Sequence, residues 1–300
     1  MAKFRMNHAR QGKGGGTTII RVGIFAALLS GLFFVYNFLT GGKADTDGWS
    51  NDRVTPADTV DDRSYYLPAG GYGEVVHHEF FSLSYDEQHE QAEWVAYVLT
   101  RDRVNADGFD RSEDFREDPL VRTGSARLAD YRGSGYDRGH LVPADDMSFD
   151  PVAIAETFYL SNISPMARDF NTGIWRELET NVQSWARQHK KIYVIAGPVL
   201  NEEGKGSIGD NAITIPNYFY KVVLDLSEPG LKGIGFILPN TLTYEPLHTF
   251  AISIDEVEER TGLDFFPDLM PRDLETDIES NLNIDLWPFS KAAHDQRLGQ

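Results

Sequence analysis

The segment Asp130-Tyr131-Arg132-Gly133-Ser134-Gly135-Tyr136-Asp137-Arg138-Gly139-His140-Leu141 packs three glycines, two aspartates, two arginines and a histidine into twelve positions. Asn162-Ile163-Ser164-Pro165 begins 22 residues after the histidine, and Asn171-Thr172-Gly173-Ile174-Trp175-Arg176-Glu177-Leu178-Glu179 follows it. An imidazole that is neutral near pH 7 is a natural base for a water nucleophile. Amide and carboxylate oxygens suit a hard divalent ion, which often keeps several waters and few protein ligands. An asparagine ligand leaves the ion's charge uncompensated, which suits an anionic phosphate. The chemistry within reach of this set is phosphodiester hydrolysis. It needs an activated water, neutralisation of the charge developing on phosphorus, and stabilisation of the leaving alkoxide. Taken singly, each residue has a plainer reading. The first segment is also a solvated glycine-rich loop, Asn162 a turn residue, Asn171 a helix N-cap, and Glu179 a solvated helix carboxylate.

Together and in this order, the elements resemble the DNA/RNA non-specific endonuclease family. The resemblance rests on Asp137-Arg138-Gly139-His140, on the Asn-x-Ser-Pro element at Asn162, and on the Asn-x-Gly-x-Trp-x-x-Leu-Glu run from Asn171 to Glu179. It is also visible at Trp94-Val95-Ala96-Tyr97, at Phe115-Arg116-Glu117-Asp118-Pro119, at Tyr193 to Pro198 and at Asp255 to Gly262, and so spans roughly residues 74–265. It implies that His140 is the general base and that Asn171 binds Mg²⁺, for which Mn²⁺ could substitute. Glu179 would hold a metal-bound water, and Arg138 and Asn162 would position the phosphate or support the site. A further arginine contact is implied before Pro119, with Arg111 as first choice and Arg116 as second. Residues eight apart on one α-helix differ by about 80° around the axis and about 12 Å along it, so Asn171 and Glu179 can face one cleft with waters between. The implied fold is α+β, a ββα-metal nuclease fold with a central, mostly antiparallel sheet and flanking helices. His140 would lie on or beside the β-hairpin and Asn171 at the start of the helix. Met166 stands where the family commonly has Gln, and Gln183 at a position basic in some members, with Arg187 one turn on.

These residues need elements to hold them. Glu74 to Tyr85 and Ala92 to Thr100 read as strands, as do Lys191 to Ala196, Tyr218 to Leu226 and Gly233 to Leu238. Pro151 opens a short helix with Asp150 as its cap, and Tyr159 to Ser164 reads as extended. Ile174, Trp175, Leu178, Val182 and Trp185 recur at spacings of three and four, which predicts a helix over 171–188 with one apolar face. Trp175 and Leu178 are therefore assigned to the core. Ser253-Ile254-Asp255-Glu256 fits a capping box opening a helix through Arg260. Asp145-Asp146 reads as a loop feature, and His77, His78 and His189 have no evident partners.

The chain has no cysteine, which excludes a disulfide framework and any thiolate metal site. Six of its 28 basic residues and none of its 46 acidic ones lie before Ala44, which leaves 22 against 46 and a net charge of −24 for the rest. A basic tail over 1–17 precedes a largely apolar stretch within 18–40, read as a transmembrane anchor. A cleaved signal peptide ending near Gly41-Gly42-Lys43-Ala44 is the rival reading. By the positive-inside rule everything after Thr40 is periplasmic or extracellular. A linker over 41–70, a nuclease domain over 71–290 and a tail over 291–300 complete the expected organisation. The partners expected are DNA or RNA as substrate and the membrane through the N-terminal helix, with a homodimer left open.

A strongly acidic domain repels polyanions. That favours the alternative of a catalytically inactive nuclease-fold module serving in binding or assembly, against which stand the intact His140, Asn171 and Glu179. Clefts respond to local field rather than net charge. Arg101, Arg103, Arg111, Arg116, Arg122, Arg127, Arg132, Arg138, Arg168 and Arg176 all fall between residues 100 and 177 and are candidates for a local basic patch. The acid-rich stretch from Asp255 to Asp285 shows no ligand spacing and reads as solvated surface.

Overall fold

Along Gln91–Thr100 side chains alternate between two buried environments: Val95, Tyr97 and Leu99 join one apolar cluster, Trp94 and Ala96 another. A period of two sends successive residues to opposite faces of a sheet, so this strand is covered on both sides. The computed structural model describes residues 63–227 and 230–299. It has a seven-stranded sheet in the order β1-β2-β3-β6-β9-β10-β11, with every neighbouring pair antiparallel. The strands are β1 (Glu74–His77), β2 (Phe81–Asp86), β3 (Gln91–Thr100), β6 (Lys191–Pro198), β9 (Tyr218–Asp225), β10 (Lys232–Pro239) and β11 (Ala251–Ile252). Two short pairs lie apart, β4 (Asp137–His140) with β5 (Ile163–Met166), and β7 (Ser207–Ile208) with β8 (Ile213–Thr214). The molecule thus mixes helices with a large antiparallel sheet. The strand expected from Glu74 to Tyr85 is two strands, because the chain turns back between His77 and Phe81.

One face of the sheet receives the helix Arg176–His189, whose Leu178, Val182 and Trp185 are buried against it. Each such side chain stabilises the fold by about 1.5–3 kcal/mol through burial. The other face is covered by helices Ile254–Thr261 and Arg272–Ser280 through Ile254, Val257 and Ile278. The capping box is present: Ser253 Oγ accepts from the Glu256 N–H, and Glu256 accepts from the Ser253 N–H. Asp150 caps Pro151–Glu156 by accepting from the N–H groups of Val152 and Ala153.

The helix predicted from Asn171 begins later. Phe170–Trp175 winds as a π-type segment with Gly173 off helical geometry at φ −97° and ψ −110°, and regular α-helix runs only from Arg176. Residues 291–298, assigned to a tail from the sequence, form a helix. Arg297 Nε meets Glu177 at 2.7 Å in a buried ion pair that fastens it to Arg176–His189. Residues 63–66 of the expected linker form a 3-10 turn that buries Tyr66. The expected basic tail, the anchor over 18–40 and the linker as far as residue 62 lie outside the described residues. Among the described residues no helix is long and apolar enough to cross a membrane.

Candidate active site

Pairing of β4 with β5 sets Arg138 opposite Pro165, Gly139 opposite Ser164 and His140 opposite Ile163. Arg138 and His140, two apart on a strand, share a face, and both open into a cleft of about 860 Å³. Gly139 is required on the other face. A Cβ there would lie 2.2 Å from Sδ of Met166, which is fully buried over it. Met166 therefore acts by packing rather than by altering hydrogen bonds at the site.

The backbone around His140 is fastened from two sides. The Trp175 indole N–H donates to the His140 carbonyl at 3.2 Å. Asn162 accepts from the Val142 N–H at 2.9 Å and donates to the carbonyls of Val142 and Thr157, while its own carbonyl accepts from the Leu141 N–H. Its side chain is fully buried and does not line the cleft. Of the two roles expected for it, this burial favours support of the site over contact with phosphate.

The His140 ring sits between Phe158 at 5.0 Å and Phe115 at 5.5 Å between centroids. The Arg138 guanidinium lies 4.2 Å from the Phe115 ring centre and that of Arg111 lies 5.7 Å from Phe158. Two phenyl rings thus organise a histidine flanked by two guanidiniums. Neither phenylalanine stood out in the sequence as part of the site. Burial, then the charges of Arg111 and Arg138, hold His140 well below the usual imidazole range, at about 3. Its Nε2 is buried and has no hydrogen-bond partner among the described residues. A neutral imidazole on the wall of the cleft can accept a proton.

Arg111, the first choice, lines the cleft. Arg116 does not; it packs on Tyr159 at 4.1 Å. Of the ten arginines proposed as a basic patch, Arg111, Arg132, Arg138, Arg168 and Arg176 line the cleft and the other five lie elsewhere. Neither Gln183 nor Arg187 reaches it.

Asn171 and Glu179 line the same cleft with Asp137 and Asp145. The Asn171 amide N–H donates to Asp137 at 3.3 Å. It does not cap the helix, and its carbonyl oxygen is left for another partner. Since Gly173 interrupts the helix, the two residues meet in the cleft through the π-type segment rather than through regular helical phase. The donors gathered here are all oxygen, which fits a hard divalent ion.

Beneath the cleft lies a charge network that the sequence reading missed. Lys221, fully buried in the middle of β9, sits with its ammonium 4.4 Å from the Trp175 ring centre, and Nζ has no hydrogen-bond partner among the described residues. Asp146, also buried, accepts from Tyr97 at 2.8 Å and from Gln183 at 2.9 Å. Burial pushes the Glu179 carboxyl up, to about 8; Lys221 opposes the rise, Asp146 and Asp145 add to it, and Arg111 opposes it. Burial also lowers Lys221 and raises Asp146. The visible signal was a lone lysine in the apolar strand Tyr-Phe-Tyr-Lys-Val-Val-Leu.

The unplaced histidines have structural partners. His78 Nε2 meets Asp118 at 3.0 Å, His77 Nδ1 meets Ser82 at 2.8 Å, and His189 Nδ1 meets Asp225 at 3.1 Å.

Residues 63–271 match the family described as DNA/RNA non-specific endonuclease. Over 221 residues the chain is 35% identical to mitochondrial Endonuclease G of Homo sapiens, covering 69% of this chain and 74% of that protein. It is 36% identical over 211 residues to Nuclease C1 of Cunninghamella echinulata var. echinulata, covering 65% and 84%. A chain from the crystal structure of the EndoG/EndoGI complex superposes with a TM-score of 0.62 at 32% identity, covering 70% of this chain and 91% of that one. With a family match over more than half its length and relatives above 30% identity, this chain belongs to the DNA/RNA non-specific endonuclease family.

Proposed function

We propose that the chain is a metal-dependent endonuclease of the ββα-metal type that hydrolyses phosphodiester bonds of DNA, RNA or both. One observation carries the reading: a neutral His140, flanked by Arg111 and Arg138, lines the same cleft as Asn171 and Glu179. His140 takes a proton from water as its oxygen bonds to phosphorus. Arg111 and Arg138 hold the non-bridging oxygens and neutralise the charge that develops there. The ester bond to the leaving oxygen breaks, and that oxygen takes a proton from solvent. An incoming phosphate also offsets the two guanidinium charges beside His140, which raises its affinity for the proton at the moment it is needed. Asn171, and Glu179 through water, would hold the divalent ion, which when bound stabilises charge on the leaving oxygen. An inactive binding module is not favoured, because His140, Arg138, Asn171 and Glu179 all line one open cleft among the described residues. The test is digestion of plasmid and of RNA by residues 60–300 with Mg²⁺ and with chelator. Absence of Mg²⁺-dependent cleavage of either would overturn the reading.

The metal roles separate Asn171 from Glu179. Asn171→Ala is expected to cut turnover strongly, with partial rescue at high Mg²⁺. Glu179→Gln still hydrogen-bonds a water and is expected to cost about 10–100-fold, as is typical of groups one shell out from a metal. Mg²⁺ titrations of cleavage, with melting curves beside them, read both. A folded Asn171→Ala protein with unchanged Mg²⁺ dependence would remove Asn171 from the metal site.

We also propose that the apolar stretch within 18–40 anchors the enzyme in a membrane with the nuclease domain outside. The support is five basic residues and no acidic one from Met1 through Arg21, against Lys43 alone between the stretch and Ala44. Protease added to spheroplasts is then expected to digest the chain beyond residue 45 and to spare a tag ahead of Met1. Digestion of the tag with protection of the domain would reverse the orientation.

A further inference from the structure

The helices Ile254–Thr261 and Arg272–Ser280 lie on the face of the sheet away from the helix Arg176–His189. Gly233 and Gly235 of β10 let them approach, since a Cβ at either would come within 2.5 Å of Ile254 or Val257. Away from this packing, Asp255 and Glu258, one turn apart on the first helix, meet Glu279 from the second. One carboxylate oxygen from each lies within 4.8 Å of the others. The three line a cleft of about 390 Å³ together with Asp264, Glu275 and Arg272. An acidic surface alone is ordinary, but Glu279 is not on the surface. It is only 3% exposed, and its Oε1 is buried with no hydrogen-bond partner among the described residues. A carboxylate oxygen buried without a donor, beside two other carboxylates, is strongly unfavourable unless a cation or proton meets it. Glu258 is itself held in place, its Oε1 accepting from the Phe265 N–H at 2.6 Å.

We propose that Asp255, Glu258 and Glu279 bind one divalent cation of the calcium class, at a site separate from the catalytic cleft, and that the ion braces the two helices against each other. The spacing admits the ion, and the ligand chemistry favours it. Calcium bonds oxygen at about 2.3–2.6 Å, so two of its ligands are separated by at most about 5 Å, whereas magnesium at about 2.0–2.1 Å draws them to about 4 Å and demands octahedral geometry. Oxygens that all lie within 4.8 Å of one another are inside calcium's reach, and three carboxylates on a partly exposed cleft that water can enter to complete the shell suit an ion of tolerant geometry. Asp255 and Glu258 come from one helix and Glu279 from the other, so the ion spans two elements that sequence spacing does not bring together. The site requires nothing of the catalytic reading.

Calcium alone is the probe, added to the full chain and followed by titration calorimetry and thermal melting. Binding at a hundredfold excess over Kd is expected to raise Tm by about 5–11 °C for a domain of this size. In Asn171→Ala, which removes the proposed ligand in the catalytic cleft, the rise is expected to persist. Glu279→Gln keeps shape and removes the buried charge. In chelator its Tm is expected to equal or exceed that of the parent, and in calcium to fall below it. Asp255→Asn, at an exposed position, is expected to weaken binding without unfolding the chain. Asp273→Asn removes the same charge from nearby exposed surface and is expected to leave the calcium shift unchanged. No calcium-dependent rise in the parent at millimolar calcium overturns the proposal. So does a rise retained in full by Glu279→Gln, or one lost equally in Asp273→Asn.

Discussion

Replacing His140 by alanine is expected to lower nucleic-acid cleavage by about 10²–10⁴-fold, the usual contribution of a general base. The fold should survive the change. The histidine Nε2 has no hydrogen-bond partner among the described residues, and the contacts that fasten this part of β4 run through its backbone, to the Trp175 indole and the Asn162 carbonyl. Loss of the ring leaves a gap between Phe115 and Phe158, which costs some stability but breaks no polar network. Single-turnover cleavage at saturating Mg²⁺ separates the chemical step from substrate binding. Because Arg111 and Arg138 remain, substrate affinity should change little while the rate constant falls. A variant that keeps more than about a tenth of parental turnover would remove His140 from the role of base.

The second large effect is on stability. Lys221→Met is expected to destabilise the fold by about 3–5 kcal/mol, the range found when one partner of a buried charge set is removed. The lysine is fully buried, and its ammonium is a positive charge acting on both Glu179 and Asp146. Methionine fills much the same volume over Trp175 but leaves those two carboxyls facing each other across a low-dielectric space. Urea unfolding above pH 8, where the Glu179 carboxyl is ionised in the parent, measures the loss directly. Pairing the change with Asp146→Asn should recover part of it, because one of the two uncompensated charges is then gone, and the double-mutant cycle isolates the coupling. A loss below about 1 kcal/mol would mean that the network is neutral in the folded protein.

Much of the site was legible in the chain itself. Asp137-Arg138-Gly139-His140, the Asn162 element and the run from Asn171 to Glu179 are tight clusters, and the structure brings their chemistry-bearing members His140, Arg138, Asn171 and Glu179 to one cleft. Caps and periodic faces were equally readable, as at Ser253, Asp150 and the apolar stripe of Leu178, Val182 and Trp185. Such features rest on interactions between residues one to four apart, so the local sequence determines them. The exceptions are also local. Gly173 breaks the helix that the stripe predicted, because spacing alone does not reveal a π-type turn.

What the sequence could not determine are the meetings between distant residues. Lys221 comes under Glu179 and Asp146 only because β9 pairs with β6 and turns that residue toward the helix Arg176–His189. Phe115 and Phe158 frame His140 from two different loops, and Asn162 leaves the cleft because its amide closes hydrogen bonds behind β4. Glu279 joins Asp255 and Glu258 across two helices in a stretch that read as solvated surface. Strand register and burial decide each of these, and both are properties of the assembled sheet and its packed faces: a one-residue shift of β9 would have turned Lys221 to the opposite side.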